Sequence, residues 1–174
     1  MQNKDKAAVE ADKTLAAVCG LYCEACTLYI ATKEDPKRLK NLATLFKLPE
    51  EEVKCYGCRS ANRGPYCKIC KMYSCAAERG IDFCVECADY PCGDLKQFQS
   101  EMPHRIELWD ALDQIKADGY EKWLKNARKN YSCRKCGTVN SAYDSTCRKC
   151  GEEPSCDYVA KHKQAIETFL KENR

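Results

Sequence analysis

The sequence predicts a small, mainly α-helical fold stabilised by metal ions, with irregular cysteine-rich loops and a C-terminal zinc ribbon built on short β hairpins. Three observations predict it. Sixteen of the 174 residues are cysteine, about 9% of the chain, the range in which cysteine chemistry holds a fold together. The cysteines fall in blocks, separated by stretches of helical apolar periodicity. Large apolar residues are thin through 55–92 and 131–156, so burial alone leaves those segments without a strong core. A structural zinc can replace it, because its apparent binding energy of roughly 10–16 kcal/mol is also folding energy.

The first residues, MQNKDKAAVEADKTLAAV, are studded with Lys, Asp and Glu. They hold no apolar run long enough for a signal peptide, and nothing downstream approaches a membrane span. The expectation is a cytoplasmic protein that does not enter a membrane. Thiols stay reduced there, so cysteine pairs at x2 spacing read as metal ligands before disulfides.

Four regions are expected: a cysteine-rich metal-binding domain over 1–95, a helical connector over 96–130, the ribbon over 131–156 and a C-terminal helix over 157–174. A polar lead-in, helical from Lys6, precedes the first cysteines. Leu28, Ile30 and Ala31 mark a helix over 24–34. Asp35-Pro36 starts the next, with Asp as N-cap and Pro in the first turn; Leu39, Leu42, Ala43 and Phe46 then repeat at three and four, to about Lys47. Pro49 to Glu52 restarts a short turn. Residues 55–92 show no surviving apolar period, so loops, turns and fragments of helix are expected around metals. After Pro91, Leu95 and Phe98, then Ile106, Leu108, Trp109, Leu112 and Ile115, read as one or two helices. Gly119 breaks the pattern, and Tyr120, Trp123, Leu124 and Ala127 resume it. Tyr158, Val159, His162, Ala165, Ile166, Phe169 and Leu170 form the face of the last helix.

The strongest single motif is CRKCGTVNSAYDSTCRKCG, in which Cys133, Cys136, Cys147 and Cys150 stand as C-x2-C-x10-C-x2-C and each half reads C-R-K-C-G. Two such knuckles converge on one zinc, and the glycine after each pair lets the chain turn so that amides face the sulfurs. The Arg-Lys inserts offset the negative charge of four thiolates on one zinc.

The middle block carries eight cysteines and an internal repeat. Cys58, Cys67, Cys70 and Cys75 are each followed 17 residues later by another: Cys75, Cys84, Cys87 and Cys92. The two units would share Cys75 and leave Cys55 outside. A tidier partition places Cys55, Cys58, Cys67 and Cys70 on one metal and Cys75, Cys84, Cys87 and Cys92 on another; a cross-braced pairing fits the same eight. Cys19, Cys23 and Cys26, in CGLYCEAC, are one thiol short of a closed site. They are expected to bind a metal, with the fourth ligand from elsewhere, Cys92 among the candidates. Their C-x3-C-x2-C spacing also suits three ligands of an iron–sulfur cluster, the less favoured alternative. The radical enzymes that share this spacing need a barrel for which this chain lacks the length and the strand–helix alternation.

The blocks CGLYCEAC, CYGCRS, CKICKMYSCAAERGIDFCVECADYPCGDL and YSCRKCG resemble the prokaryotic cysteine-rich proteins grouped as domain of unknown function 3795, from about Cys19 to Leu95, with the ribbon as a frequent companion. The resemblance implies a cysteine-rich, zinc-binding protein and supplies no reaction.

Hydrolytic zinc sites keep an open position and favour His and Glu ligands. The chain has two histidines, His104 and His162, each read as an exposed or packed helix residue. There is no GxSxG, P-loop or GxGxxG, and no catalytic residue is assigned. Cys156, in EEPSCDYV, reads as a spare or packed thiol. The formal net charge of +3 hides an asymmetry: residues 121–150 carry eight basic against two acidic side chains, net +6, so the rest sums to −3. A solvated basic face explains this better than nucleic-acid binding, since the basic and aromatic spacing matches no RNA or DNA motif. The sequence therefore reads as a multi-zinc scaffold that binds or assembles with an unknown protein partner. A redox or metal-handling protein using Cys19, Cys23 and Cys26, or a weak nucleic-acid binder through the ribbon, are the alternatives.

Overall fold

The computed structural model describes residues 11–173; the expected helix start at Lys6 lies outside the described residues. Among them the chain forms α1 (Thr27–Glu34), α2 (Pro36–Phe46), α3 (Glu50–Val53), α4 (Pro65–Lys68), α5 (Lys71–Arg79), α6 (Gly93–Ser100), α7 (Leu108–Asp118), α8 (Tyr120–Tyr131) and α9 (Asp157–Glu172). Short 3-10 turns at Lys13–Leu15, Cys23–Ala25, Cys84–Glu86 and Pro103–Arg105 join them. No described helix is long and apolar enough to cross a membrane.

Local chemistry explains the boundaries. The Asp35 carboxylate accepts the Arg38 amide at 2.9 Å and Pro36 occupies the first turn, so α2 starts where the Asp-Pro signal places it. Lys47, at φ 55°, ends it in the left-handed conformation. α2 buries Leu39 and Ala43 against Leu28, Ala31, Val53 and Cys55, a small core that ties α1, α2 and α3 to the first middle-block cysteine. Gly119 at φ 84° separates α7 from α8, at the break the sequence marks.

The main core sits between α7, α8 and the first cysteines. Leu108, Leu112, Trp123 and Leu124 are buried together with Ala16, Val18, Cys19, Tyr22, Met72, Phe83 and Leu95. Each such large side chain contributes roughly 1.5–3 kcal/mol on burial. The helices expected as a connector thus share the core of the cysteine-rich segment. Gly20, at φ 82°, brings the Cys19 turn onto α7: a Cβ there would lie 2.9 Å from Leu112 Cγ. A third cluster joins Ala142, Cys156, Tyr158, Val159 and Ile166. Tyr158 stacks on Tyr131 at 4.7 Å and donates to the Pro103 carbonyl at 2.6 Å, fastening α9 to the rest.

Two features depart from the sequence reading. α5 is a full nine-residue helix inside the middle block, with Met72 and Ala76 buried at i, i+4 and Gly80 (φ 63°) closing it. The expected β hairpins of the ribbon are absent: the described residues contain only isolated antiparallel bridges, Ala16 with Tyr22 and Ser132 with Val139. Backbone pairing is confined to the knuckles, where Cys133 donates to Thr138 at 2.8 Å and Asn140 to Tyr131 at 2.9 Å, and side chains hold the loop beyond them. Asn140 Oδ1 accepts the Arg148 amide at 3.0 Å, and Asp144 Oδ2 accepts the Ser141 amide at 2.8 Å.

Candidate metal centre

The two C-R-K-C-G sequences fold into a matched pair of knuckles. In one, the Gly137 amide donates to the Cys133 carbonyl at 2.9 Å and the Cys133 amide to Thr138 at 2.8 Å; in the other, Gly151 donates to Cys147 at 2.9 Å and Cys147 to Glu152 at 2.8 Å. Both turns need a positive φ, and Gly137 and Gly151 each stand at 73°. The four sulfurs of Cys133, Cys136, Cys147 and Cys150 all lie within 4.8 Å of one another. Cys133 Sγ lies 3.6 Å from Cys150 Sγ, and Cys136 Sγ 3.6 Å from Cys147 Sγ. A tetrahedral shell at Zn–S of about 2.3 Å has sulfurs about 3.8 Å apart, so this quartet fits a single ion.

The surroundings act on these thiols in opposite directions. The Thr138 hydroxyl and amide bring Cys136 down to about 6. Burial acts to raise Cys147, but the amides of Cys150 and Lys149 outweigh it and lower it. The Glu152 amide lowers Cys150, but loss of solvation and hydrogen bonds with Cys136, Cys133 and Cys147 push it up to about 12. Behind the sulfurs, fully buried Asn140 donates to the carbonyls of Thr138 at 2.9 Å and Ser155 at 3.1 Å and faces Cys147 Sγ at 3.7 Å. Neither Asn140 nor Thr138 stood out in the sequence; the only signal was their place in the ten-residue spacer.

Most ribbon bases are engaged. Arg134 pairs with Asp157, Lys135 with Glu152 and Arg148 with Glu34, and further along the same basic segment Arg128 pairs with Glu24 and Lys122 with Asp118. The ribbon is held against α1 and α2 by Arg38 with Asp144 at 2.9 Å and by the Thr27 and Ser141 hydroxyls at 2.9 Å.

The N-terminal cysteines are gathered differently. Among the described residues, no three of their sulfurs lie within 4.8 Å of one another as the ribbon's do. Cys19, Cys23 and Cys26 have different cysteine neighbours. Cys19 is buried beside Cys58, Cys70 and Cys84; burial first, then those neighbours, raises its thiol. Cys23 accepts the Cys58 amide at 3.4 Å and lies near Cys58, Cys26 and Cys55. Burial, then Cys55, raises Cys26, against the pull of the Tyr29 and Leu28 amides at the start of α1. Cys55 takes a hydrogen bond from Cys67, which lowers Cys55 to about 6 and raises Cys67. Cys75, Cys84, Cys87 and Cys92 line one cavity of about 50 Å³ between α5 and α6. Arg79 Nη1 donates to Cys87 Sγ there at 3.2 Å.

Residues outside the cysteine grid also find places. Cys156 is 1% exposed, packed at the start of α9 in the third cluster, and burial raises its thiol. His104 Nδ1 lies 2.6 Å from Tyr143 Oη, and His162 Nε2 lies 2.9 Å from Glu107; both histidines are packed side chains.

Residues 15–97 match the profile of a family described as a protein of unknown function, DUF3795. The similarity to that family spans just under half of the chain. The DUF3795 segment takes in the eleven cysteines from Cys19 to Cys92, while the ribbon lies beyond it. No curated protein and no solved structure matches the chain.

Proposed function

We propose that the chain is a multi-zinc scaffold, a cytoplasmic binding or assembly module whose metals are held by cysteine alone. The observation that carries this reading is the closed ribbon quartet, with all four sulfurs within 4.8 Å. Four protein thiolates complete a tetrahedral shell, leave no position for substrate and make the ion a structural element. Zinc fits the donor set because soft thiolates in tetrahedral array suit it, and its structural binding energy is folding energy. In this reading Cys19, Cys23, Cys26, Cys55, Cys58, Cys67, Cys70, Cys75, Cys84, Cys87 and Cys92 bind further zinc ions in the DUF3795 domain, and the ribbon with its surroundings is a contact surface for a protein partner. The engagement of Arg128, Arg134, Lys135 and Arg148 in ion pairs weighs against a phosphate-binding role.

Metal analysis with an absorption spectrum on protein purified without oxygen tests the reading. The protein should be colourless, carry more than three zinc ions per chain and lose one on Cys23→Ser. A visible iron–sulfur band, lost in that variant, would replace the scaffold with redox chemistry. Three ions or fewer, unchanged by the variant, would make the first cysteines packed thiols.

A further inference from the structure

We propose that Cys84 is a shared thiolate that bridges two metal ions of the DUF3795 domain, so that eleven cysteines complete three tetrahedral shells. The proposal rests on the multi-zinc reading above and names its ligand sets. Three separate shells of four need twelve sulfurs, one more than the domain has. One bridging sulfur closes the gap, and the structure singles out Cys84.

Cys84 belongs to two neighbourhoods. It lines the cavity between α5 and α6 together with Cys75, Cys87 and Cys92. It also faces the other way. Its amide donates to the Val18 carbonyl at 2.8 Å, which pins the Cys84–Glu86 turn against the residue preceding Cys19. Cys19 in turn has Cys58, Cys70 and Cys84 around it, and Cys70 is near Cys84 as well as Cys58. The first shell is therefore Cys19, Cys58, Cys70 and Cys84, and the second Cys75, Cys84, Cys87 and Cys92. The remaining four, Cys23, Cys26, Cys55 and Cys67, are mutual neighbours and form the third. This assignment divides the Cys19, Cys23 and Cys26 motif between two shells and moves the bridge from Cys75, where the 17-residue repeat suggests it, to Cys84.

An independent observation comes from Arg63. Its Nε and Nη1 are buried without a hydrogen-bond partner, while its guanidinium lies 3.7 Å above the Tyr73 ring. Arg63 and Arg59 both act on Cys58, and Arg79 donates to Cys87. Buried donors left without acceptors are costly unless an anion faces them. A pair of ions under seven thiolates is such an anion, with Arg63 and Arg59 beside one shell and Arg79 beside the other. The sulfurs here stand farther apart than in the ribbon, so the ions draw them inward on binding.

Cadmium-113 substitution of the full chain tests the bridge, because two cadmium nuclei joined through one sulfur split each other's resonance. Four cadmium resonances are expected, two of them doublets of equal splitting and two unsplit. Cys23→Ser should remove one unsplit resonance and leave both doublets. Cys84→Ser, where it folds, should abolish the splitting. Four unsplit resonances in the wild-type protein overturn the bridge while leaving the multi-metal reading intact, as does splitting that survives Cys84→Ser or a doublet lost in Cys23→Ser. A single unsplit resonance, that of the ribbon, overturns the multi-metal reading itself and the bridge with it.

Discussion

Asn140 stands behind Cys147, its side-chain amide 3.7 Å from the sulfur and its carbonyl oxygen receiving the Arg148 amide at 3.0 Å. It binds the second knuckle to the first, because the same amide donates to Thr138 and Ser155. Partners of this kind orient the ligands of a metal and typically change affinity by 10- to 100-fold. Asn140→Ala should therefore weaken ribbon metal binding by about that factor. Competition with a chromophoric chelator measures it, with the Cys147→Ser protein as the zero-affinity reference. Unchanged retention in Asn140→Ala would reduce Asn140 to a packing residue.

Arg38 links the start of α2 to the ribbon. It holds Asp35 at 3.1 Å and Asp144 at 2.9 Å, with only 20% and 14% of the Arg38 and Asp144 side chains exposed. A pair this sheltered is screened less than a surface pair. A double-mutant cycle of Arg38→Ala and Asp144→Ala should give a coupling of about 1–2 kcal/mol. Hydrogen exchange of the ribbon amides should quicken in Arg38→Ala while the metal count stays constant. A coupling near zero would mean the contact adds nothing to docking.

The ribbon's metal is expected to be separable from the others. Replacing Cys136 or Cys147 with Ser removes one of four ligands, and residues 131–151 have little buried apolar surface to hold them otherwise. Either variant should lose one ion and the order of that segment, seen as collapsed amide dispersion there. The ions of residues 19–92 should remain. Loss of every ion in a single variant would show that the two regions fold only as a unit.

What the sequence made legible follows the range of each signal. Asp35-Pro36, the Leu39–Phe46 spacing and the break at Gly119 are local, and the structure puts α2, α7 and α8 where those signals fall. The ribbon quartet was legible because each C-R-K-C-G is a complete turn in itself. α5 was obscured: Met72 and Ala76 carry its period, but cysteines and charges fill the positions between them. The surroundings of Cys19, Cys23 and Cys26 were not legible at all. Cys58, Cys70 and Cys84 reach Cys19 only because the Gly20 turn lies on Leu112 and the Cys84 amide reaches Val18. Spacing alone cannot encode such long-range contacts. The ribbon hairpins stop at one isolated bridge, Ser132 with Val139, because the chain leaves each knuckle into a loop held by the side chains of Asn140 and Asp144.

His104 supplies the last prediction, in which the direction of the pH effect follows from its surroundings. Arg105 Nε, always a donor, reaches His104 Nε2 at 3.4 Å, so Nε2 carries the lone pair and Nδ1–H donates to Tyr143 Oη at 2.6 Å. Protonating Nε2 would turn that contact into a meeting of two cations. Burial, and then Arg105, bring the imidazole from 6.5 down to about 4. The unfolded chain therefore takes up this proton first as pH falls. The neutral imidazole's contribution is fully present above about pH 6.5 and is lost progressively down to about pH 4, by about 3 kcal/mol in total. Between pH 7.5 and 5.5 the loss from this group is about 1.4 kcal/mol. Since acid also acts on the thiolates, the direct measurement is the His104 ring resonance in the folded protein. It should stay at its neutral position throughout that interval, and a titration centred near 6.5 would contradict the assigned tautomer and its burial.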